Sequence, residues 1–198
     1  MIQSPNDLRI VGIGGSLRAH SFSYLALEYA MRRLAGMGCR TRIADLRKMS
    51  LPFCNGDKNE LWSAYPAVAE LRRVVAKANA LVLATPEYHG SISGVLKNAL
   101  DLLDPKDLEG KVAGVISVLG GPANSNALND LSRIMRWCHA WVIPQHIAIG
   151  RARGVFLDTE IADQELRDRF DEFTKSLVWT ALRICELDSA DALASYAS

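Results

Sequence analysis

The sequence predicts an α/β domain in which a doubly wound, five-stranded parallel sheet has helices on both faces. Apolar, β-rich stretches alternate with stretches of helical periodicity along the chain, which is the pattern of repeated βαβ units. The run from Ala80 to Ala84 is apolar at every position, as is typical of a parallel strand buried on both faces. The chain has 198 residues, enough for a substantial core, and we expect a single domain over residues 1–198.

The order of the elements follows from the spacing of apolar residues. A strand at residues 8–13 leads through a glycine-rich turn into a helix at about 21–34, and a half-exposed strand at 41–46 follows. The connection at 47–65 is predicted to be a long loop. A helix at 66–78, a strand at 80–84, a helix at 91–103 and a strand at 112–119 come next. They are followed by a helix that buries Leu128, Leu131, Met135 and Cys138, and by a short strand within 140–149 that Pro144 interrupts. The last element is a C-terminal helix at about 160–187, whose apolar stripe consists of Leu166, Phe170, Phe173, Leu177 and Ala181.

Composition and charge narrow the class of partner. The chain carries 23 basic and 22 acidic residues, for a net charge of +1, so nothing predicts a nucleic-acid groove or a basic membrane face. No apolar run approaches the roughly 20 residues that span a bilayer, and residues 1–7 do not resemble a signal peptide. The four cysteines lie far apart and form no CxxC pair, which disfavours a metal site and predicts reduced thiols. We therefore expect a cytoplasmic protein without membrane insertion and without a bound metal.

The loop after the first strand has the composition of a phosphate site. The segment GGSLRAHSFS places Ser16, Ser21 and Ser23 around the start of a helix, where backbone N–H groups and the helix dipole favour an anion. Arg18 adds a charged donor suited to phosphate oxygens. Leu17 stands where a dinucleotide-binding fingerprint requires its third glycine, and no Walker sequence is present. The loop therefore favours a terminal phosphomonoester over a pyrophosphate.

Two further loops follow strands whose carboxyl ends should lie at the same edge of the sheet. The segment TPEYHGS follows the buried strand. In it Pro86 fixes a turn, Gly90 permits a backbone that a side chain would block, and Tyr88 offers a ring for a flat heterocycle. The segment SVLGGPAN, residues 117–124, follows the fourth strand, and its two glycines allow backbone amides to approach a ligand. The three loops together predict a ligand site.

These residues resemble the NADPH-dependent FMN reductase family, which includes quinone, chromate and azo-dye reductases. The resemblance covers roughly residues 9–149. It rests on a Gly-Ser-x-Arg-x-x-Ser motif at 15–21, and on Pro86-Glu87-Tyr88 followed by GVLKNA at 94–99. The resemblance implies a flavodoxin-like fold with strand order 2-1-3-4-5.

The resemblance also implies a set of contacts to FMN. The three serines and Arg18 would hold the phosphate, Pro86 to Tyr88 would contact the ribityl chain and the isoalloxazine, and the turn at 120–121 would lie beside the pyrimidine edge. Family members often carry asparagine in place of Ser23 and His89, so we expect His89 to alter the flavin edge or the acceptor pocket. The expected cofactor-binding residues are Ser16, Arg18, Ser21, Phe22, Ser23, Pro86, Glu87, Tyr88, His89, Gly90, Ser117, Gly120 and Gly121.

The function that the resemblance implies is oxidation of NADPH or NADH through FMN, with a quinone, free flavin, chromate, ferric compound or azo dye as acceptor. The reacting atom is N5 of the flavin, so we expect no catalytic side chain. We expect a cycle in which the oxidised nicotinamide leaves before the acceptor binds. We also expect a homodimer or homotetramer with the helix around Lys97 and Asp101 near the subunit contact.

Two alternatives and two choices stay open on the sequence alone. One alternative is a flavodoxin-like electron carrier or flavin sensor that does not turn over NAD(P)H. The other is a dehydrogenase without flavin that uses Gly12 and Gly14, with Asp45 on a ribose. The acceptor is not decided. The choice between NADH and NADPH is also undecided, and Arg18, Arg47 and residues 151–153 supply candidate partners for the additional phosphate of NADPH.

Overall fold

The computed structural model describes residues 4–123 and 125–187, and its centre is a parallel sheet in the order β2-β1-β3-β5-β6. The strands are β1 (Arg9–Gly14), β2 (Arg40–Ala44), β3 (Ala80–Tyr88), β4 (Ser91–Ile92), β5 (Val112–Val118), β6 (Trp141–Val142), β7 (Ile147–Ile149), β8 (Phe156–Leu157) and β9 (Glu160–Ile161). The helices are α1 (Phe22–Gly36), α2 (Lys58–Ala64), α3 (Pro66–Ala76), α4 (Gly94–Asp101), α5 (Pro105–Leu108), α6 (Asn126–Trp137) and α7 (Gln164–Leu187). The predicted α/β class is confirmed.

The fifth position of the sheet is occupied by two short strands. β6 pairs with the first residues of β5 and β7 pairs with its last residues, both in parallel. Pro144 lies between them and has no N–H to donate to a continuous ladder. The predicted order 2-1-3-4-5 therefore holds, with the interruption at the proline.

Helices cover both faces of the sheet, as a doubly wound fold requires. On one face α1 and α7 pack against the sheet and bury Phe170 and Phe173 completely. A Cβ on Gly114 of β5 would lie 2.5 Å from Cζ of Phe173, so α7 lies directly against the strand. On the other face α3, α4 and α6 bury residues such as Leu71, Leu96 and Leu131. In the part of the chain that the structure describes, no helix is long and apolar enough to cross a membrane.

Several predicted boundaries differ from the structure. β3 extends to Tyr88, so the segment predicted as a loop from 85 is strand as far as residue 88, and its turn is limited to 89–90. α4 begins at Gly94, and not at residue 91 as predicted, because Ser93 caps it. The predicted loop at 47–65 contains α2, capped by Asp57.

The C-terminal half also differs in detail. α7 starts at Gln164, since residues 160–161 pair with β8 in a small hairpin. On its predicted stripe Leu166 is partly buried and the other four residues are buried. Cys138 is only half-buried at the end of α6. The four cysteines, all within the described residues, are thiols with no disulfide among them. Asn124 of the predicted third loop lies outside the described residues, and the single domain over 1–198 stays a prediction.

Candidate functional site

The loops after β1 and β5, the last residues of β3 and the segment after β7 line a cavity of about 470 Å³, within the range of small-molecule sites. Its position at the carboxyl ends of the strands is the one expected for a ligand site in an open α/β sheet. The structure brings nine of the thirteen predicted residues together here, and does not place His89, Gly90, Ser117 or Gly121 in the lining. Among the described residues, the lining consists of Ser16, Arg18, Ser21, Phe22, Ser23, Pro86, Glu87, Tyr88, Val118, Leu119, Gly120, Ala152 and Arg153.

Three buried hydroxyls line the end of the cavity next to α1. Ser16, Ser21 and Ser23 are all buried, and Oγ of Ser21 lies 2.8 Å from Oγ of Ser23. Ser21 is also the N-cap of α1, because its Oγ accepts from the backbone N–H of Tyr24. If Ser23 donates its proton to Ser21, the proton of Ser21 is left for an acceptor in the cavity. This donor set, at the positive end of a helix dipole, suits an anion.

Gly15 attaches the loop after β1, residues 15–21, to the rest of the fold. Its N–H donates to the Ala84 carbonyl at 2.7 Å, and its own carbonyl accepts from Oγ of Ser93 at 2.5 Å. A Cβ at this position would lie 2.7 Å from Oγ of Ser93 and 2.8 Å from Cβ of Leu96. Only glycine therefore allows β1 to continue into the loop against the start of α4. Ser93 did not figure in the predicted site, because its partner lies 78 residues away.

The segment after β3 is a tight hairpin. His89 and Gly90 have φ values of 51° and 76° and form a two-residue connection between β3 and β4. A type I′ turn requires positive φ at both central residues, and asparagine, which the resembling family often carries at 89, is a favoured residue there. Residue 89 is therefore constrained by the turn and not by the cavity. Tyr88, just before the turn, lines the cavity and remains 47% exposed.

Glu87 places a buried carboxylate in the lining. Its Oε2 lies 3.5 Å from the backbone N of Ala127, in the first turn of α6, where the helix dipole stabilises a negative charge. Ser91 attaches the same hairpin to α6, since its Oγ donates to Asp130 at 2.6 Å. The hairpin is thus held by α6 at two points.

Another part of the lining is formed by the segments after β5 and β7, which bond to each other. Leu119 donates from its backbone to the Ile149 carbonyl at 2.8 Å, and Ala152 donates to the Leu119 carbonyl at 3.2 Å. Gly120 lines the cavity, and a Cβ at this position would meet nothing within 4 Å. The residues that follow β7 bring Arg153 into the lining. The sequence offered Arg153 as a candidate partner for the additional phosphate of NADPH, but did not predict it as a residue of this cavity.

Asp45 and Arg47 are engaged with each other away from the cavity. Arg47 donates to both carboxylate oxygens at 2.8 Å, and the Tyr24 hydroxyl donates to Oδ1 at 2.8 Å. The hydrogen bonds from Arg47 lower the pKa of Asp45 to about 2, while burial, followed by the bond to Asp45, raises the pKa of Tyr24. A Cβ on Gly14 would lie 2.6 Å from the Tyr24 ring, so this glycine serves packing. The arrangement disfavours the dehydrogenase alternative, since Asp45 is already bound.

A parallel sheet of this order, with an anion-suited loop after β1 and a ligand cavity at the carboxyl ends of β1, β3 and β5, defines a flavodoxin-like α/β protein. Within that class the particular family follows from sequence comparison. The chain belongs to the NADPH-dependent FMN reductase family, whose sequence profile matches residues 8–154. The predicted resemblance is confirmed.

Individual relatives agree with this assignment. A Shigella flexneri protein named NADPH-dependent FMN reductase ArsH is 37% identical over an alignment of 152 positions that covers 73% of this chain and 57% of that protein. An NADPH azoreductase from Bacillus sp. (strain OY1-2) is 30% identical over 143 residues, 72% of this chain and 76% of that protein. The chain thus spans little more than half the length of the Shigella relative.

Solved structures show the same architecture. The apo form of the NADH:FMN oxidoreductase EMOB superposes with a TM-score of 0.67 at 27% identity, covering 86% of this chain and 90% of that one. FerB, an NAD(P)H:(acceptor) oxidoreductase from Paracoccus denitrificans, gives a TM-score of 0.75 at 23% identity, covering 89% and 98%. The second likeness bears on the fold alone.

Proposed function

We propose that this protein is an FMN-dependent NAD(P)H oxidoreductase that reduces a small acceptor. The observation that carries the proposal is the convergence of Ser16, Ser21 and Ser23 with the Pro86–Tyr88 segment in one cavity, in a chain of the FMN reductase family. Bound FMN would supply the transfer of hydride from NAD(P)H to the acceptor. The protein's own residues bind and orient the reactants.

The end of the cavity beside α1 fits the FMN phosphate. A phosphomonoester carries close to two negative charges and accepts hydrogen bonds from hydroxyls and backbone N–H groups. The buried serines, the start of α1 and Arg18 supply such donors within one lining. Burial of the three serines excludes competing water, which strengthens each bond from their hydroxyls to the phosphate.

The remaining lining suits a flat ring system. Pro86 and Tyr88 present carbon-rich surface from β3, and the backbone at Gly120 leaves room beside them. The half-exposed Tyr88 ring lies where a nicotinamide and then an acceptor could reach the bound ring. Glu87 is held at the start of α6, so we assign it a positioning role and no proton transfer.

Arg153 is the residue that we assign to the charged part of NADPH. Of the arginines that the sequence offered for this task, Arg18 and Arg153 line the cavity, while Arg47 is bound to Asp45. Arg18 lies on the loop after β1, which leaves Arg153, on the segment after β7, for a second anionic group. The planar guanidinium suits a phosphate monoester of this kind.

We extend the proposal to assembly and location. Lys97 and Asp101 form an ion pair on α4 with both side chains half-exposed, and Trp137 and Trp141 are 82% and 57% exposed. Large exposed apolar side chains are a mark of interfaces, so we propose a homodimer or homotetramer that uses this side of the molecule. Sedimentation of the purified protein tests it, and a monomer at micromolar concentration contradicts it. We also propose a cytoplasmic location, which agrees with the proposed use of NAD(P)H.

The first test compares FMN with riboflavin, which lacks the phosphate, in a fluorescence titration. We expect riboflavin to bind at least about 100-fold more weakly, the equivalent of two charge-assisted hydrogen bonds. A Ser21→Ala/Ser23→Ala variant should lose most of that difference. Ser125→Ala is the matched control, since Ser125 precedes α6 without a side-chain cap bond. Equal affinities for the two flavins contradict the phosphate assignment.

The second test separates an enzyme from an electron carrier. Steady-state consumption of NADPH with a quinone acceptor should depend on added FMN and give parallel reciprocal plots, because the nicotinamide leaves before the acceptor binds. No consumption with NADPH or NADH supports the carrier or sensor alternative. Intersecting plots contradict the two-step cycle while leaving the activity in place.

A further inference from the structure

A basic cleft lies at the amino ends of the strands, opposite to the cofactor cavity at their carboxyl ends. Arg9, Arg40, Arg42, Arg73 and Lys77 line a cavity of about 310 Å³, and no acidic residue is among the ten described residues that line it. The cleft opens at the amino ends of β1 and β2, whereas the cofactor cavity lies beyond their carboxyl ends. The six residues of β1 separate the two by about 17–20 Å.

The cations of the basic cleft are placed next to one another with little compensation. Arg9 and Arg40 face each other in the β1–β2 register, and Arg42 lies two residues further on the same face of β2. Arg73 and Lys77 are four residues apart on α3 and its C-cap, where like charges repel. In a chain of 23 basic and 22 acidic residues, this concentration of one sign is a local feature.

Glu70 balances only part of the charge. It accepts from Arg42 at 2.7 Å and from Arg73 at 2.7 and 2.8 Å. Among residues 4–123 and 125–187, no acidic side chain lies within ion-pair distance of Arg9, Arg40 or Lys77. Three exposed cations therefore face the same small cavity without an anion.

Ordinary structural roles account for individual members of the cluster. Lys77 at the end of α3 interacts favourably with the helix dipole, and charged residues on the edge strand β2 hinder strand addition. Neither role requires Arg9, which belongs to the inner strand β1. Neither explains why residues from two strands and a helix meet around one cavity with an apolar wall at Val74.

We propose that the basic cleft is a second ligand site, for a small molecule that carries two or more neighbouring phosphate or carboxylate groups. Guanidinium groups bind both kinds of oxyanion through paired N–H donors. The cavity is at the lower end of small-molecule sites, which matches a compact polyanion. The site is independent of FMN and of the proposed reaction.

Isothermal titration calorimetry with pyrophosphate and, separately, citrate tests the proposal on FMN-saturated protein at low ionic strength. Saturating FMN keeps the probe from the cofactor cavity, and the variants below identify the cleft even if FMN does not bind. We expect one equivalent of probe per chain and an affinity that falls with added NaCl, because exposed charges are screened. Tighter binding of pyrophosphate identifies a phosphate ligand, and tighter binding of citrate a carboxylate ligand.

An Arg9→Gln/Arg40→Gln variant should weaken the binding of either probe at least about tenfold, since it removes two charge-assisted donors. The matched control is Lys106→Gln/Arg133→Gln, which removes two exposed cations elsewhere and should change affinity less than about twofold. Thermal unfolding without probe provides a second readout. The cleft variant should unfold at a temperature no lower than the unmodified protein, because a like-charge contact is relieved.

Three results overturn the proposal. They are the absence of saturable binding of both probes, equal binding by the cleft variant and the unmodified protein, and binding of a DNA duplex in place of both probes. The first two leave Arg40 and Arg42 as protection of the edge strand β2.

Discussion

Replacing Gly15 by alanine places a methyl group where the structure has no room. The added Cβ would lie 2.7 Å from Oγ of Ser93, 2.8 Å from Cβ of Leu96 and 3.3 Å from Oγ1 of Thr85. The Leu96 carbon belongs to the first turn of α4 and cannot rotate away, so either the loop or the helix must shift. Overpacking of this kind costs about 1–3 kcal/mol of the free energy of unfolding.

The expected loss of stability is a fall of roughly 2–12 °C in Tm, from about 2–4 °C per kcal/mol for a chain of this size. The same shift displaces Ser16, so the dissociation constant for FMN should rise as well. Differential scanning calorimetry and an FMN titration measure the two effects. Gly36→Ala is the matched control, because its Cβ meets nothing within 4 Å at the end of α1, and it should be neutral or stabilise by about 0.5 kcal/mol. A Gly15→Ala protein with unchanged Tm and FMN affinity refutes the close contact with α4.

Three further predictions concern the Asp45 ion pair, the cavity and the loop at residues 52–54. The folded-state pKa of Asp45, about 2, is below its ordinary value near 3.9, so the carboxylate contributes stability that is complete above about pH 4 and is lost as the pH falls through about 2. Urea unfolding should therefore show Asp45→Asn less stable by about 1–2 kcal/mol at pH 7, with the difference shrinking towards pH 3; a difference independent of pH contradicts this. Arg153→Gln should raise KM for NADPH severalfold and leave KM for NADH nearly unchanged, with Arg151→Gln as the control, and equal effects on both nucleotides contradict the assignment. The Asn98 side chain donates to the Pro52 carbonyl and accepts from the Cys54 N–H, both at 2.9 Å. Asn98→Ala should therefore lower the free energy of urea unfolding by about 1–2 kcal/mol. A loss smaller than about 0.5 kcal/mol would show that other contacts hold the loop at residues 52–54.

The sequence predicted the parts of the fold that depend on local pattern. The apolar strand at 80–84, the helix capped by Ser21 and the break at Pro144 all carry their signals within a few residues. The extension of β3 to Tyr88 does not, because Pro86 and Glu87 interrupt the apolar run and their strand conformation depends on pairing with β5 and β4. Helix α2 was missed for a different reason, since a helix of seven residues inside a polar connection has almost no periodicity.

The candidate site was likewise predictable from the sequence only where its residues lie close together along the chain. The loop after β1 was recognisable because its donors are contiguous in sequence. The contact of Gly15 with Ser93 and the position of Arg153 both depend on segments distant in sequence. His89 was expected to affect the flavin edge or the acceptor pocket. The structure places it in a two-residue turn with a positive φ and outside the lining of the cavity. Long-range packing thus decided which loop residues face the cavity.

The measurement that tests the account most directly is the visible spectrum of the FMN-loaded protein during anaerobic addition of NADPH. The account predicts flavin absorption bands that bleach in proportion to NADPH and return when a quinone is added without oxygen. Bands that persist with both NADPH and NADH would contradict the proposed oxidoreductase and favour an electron carrier or sensor. A protein that binds no FMN under any condition would contradict the assignment of the cavity itself.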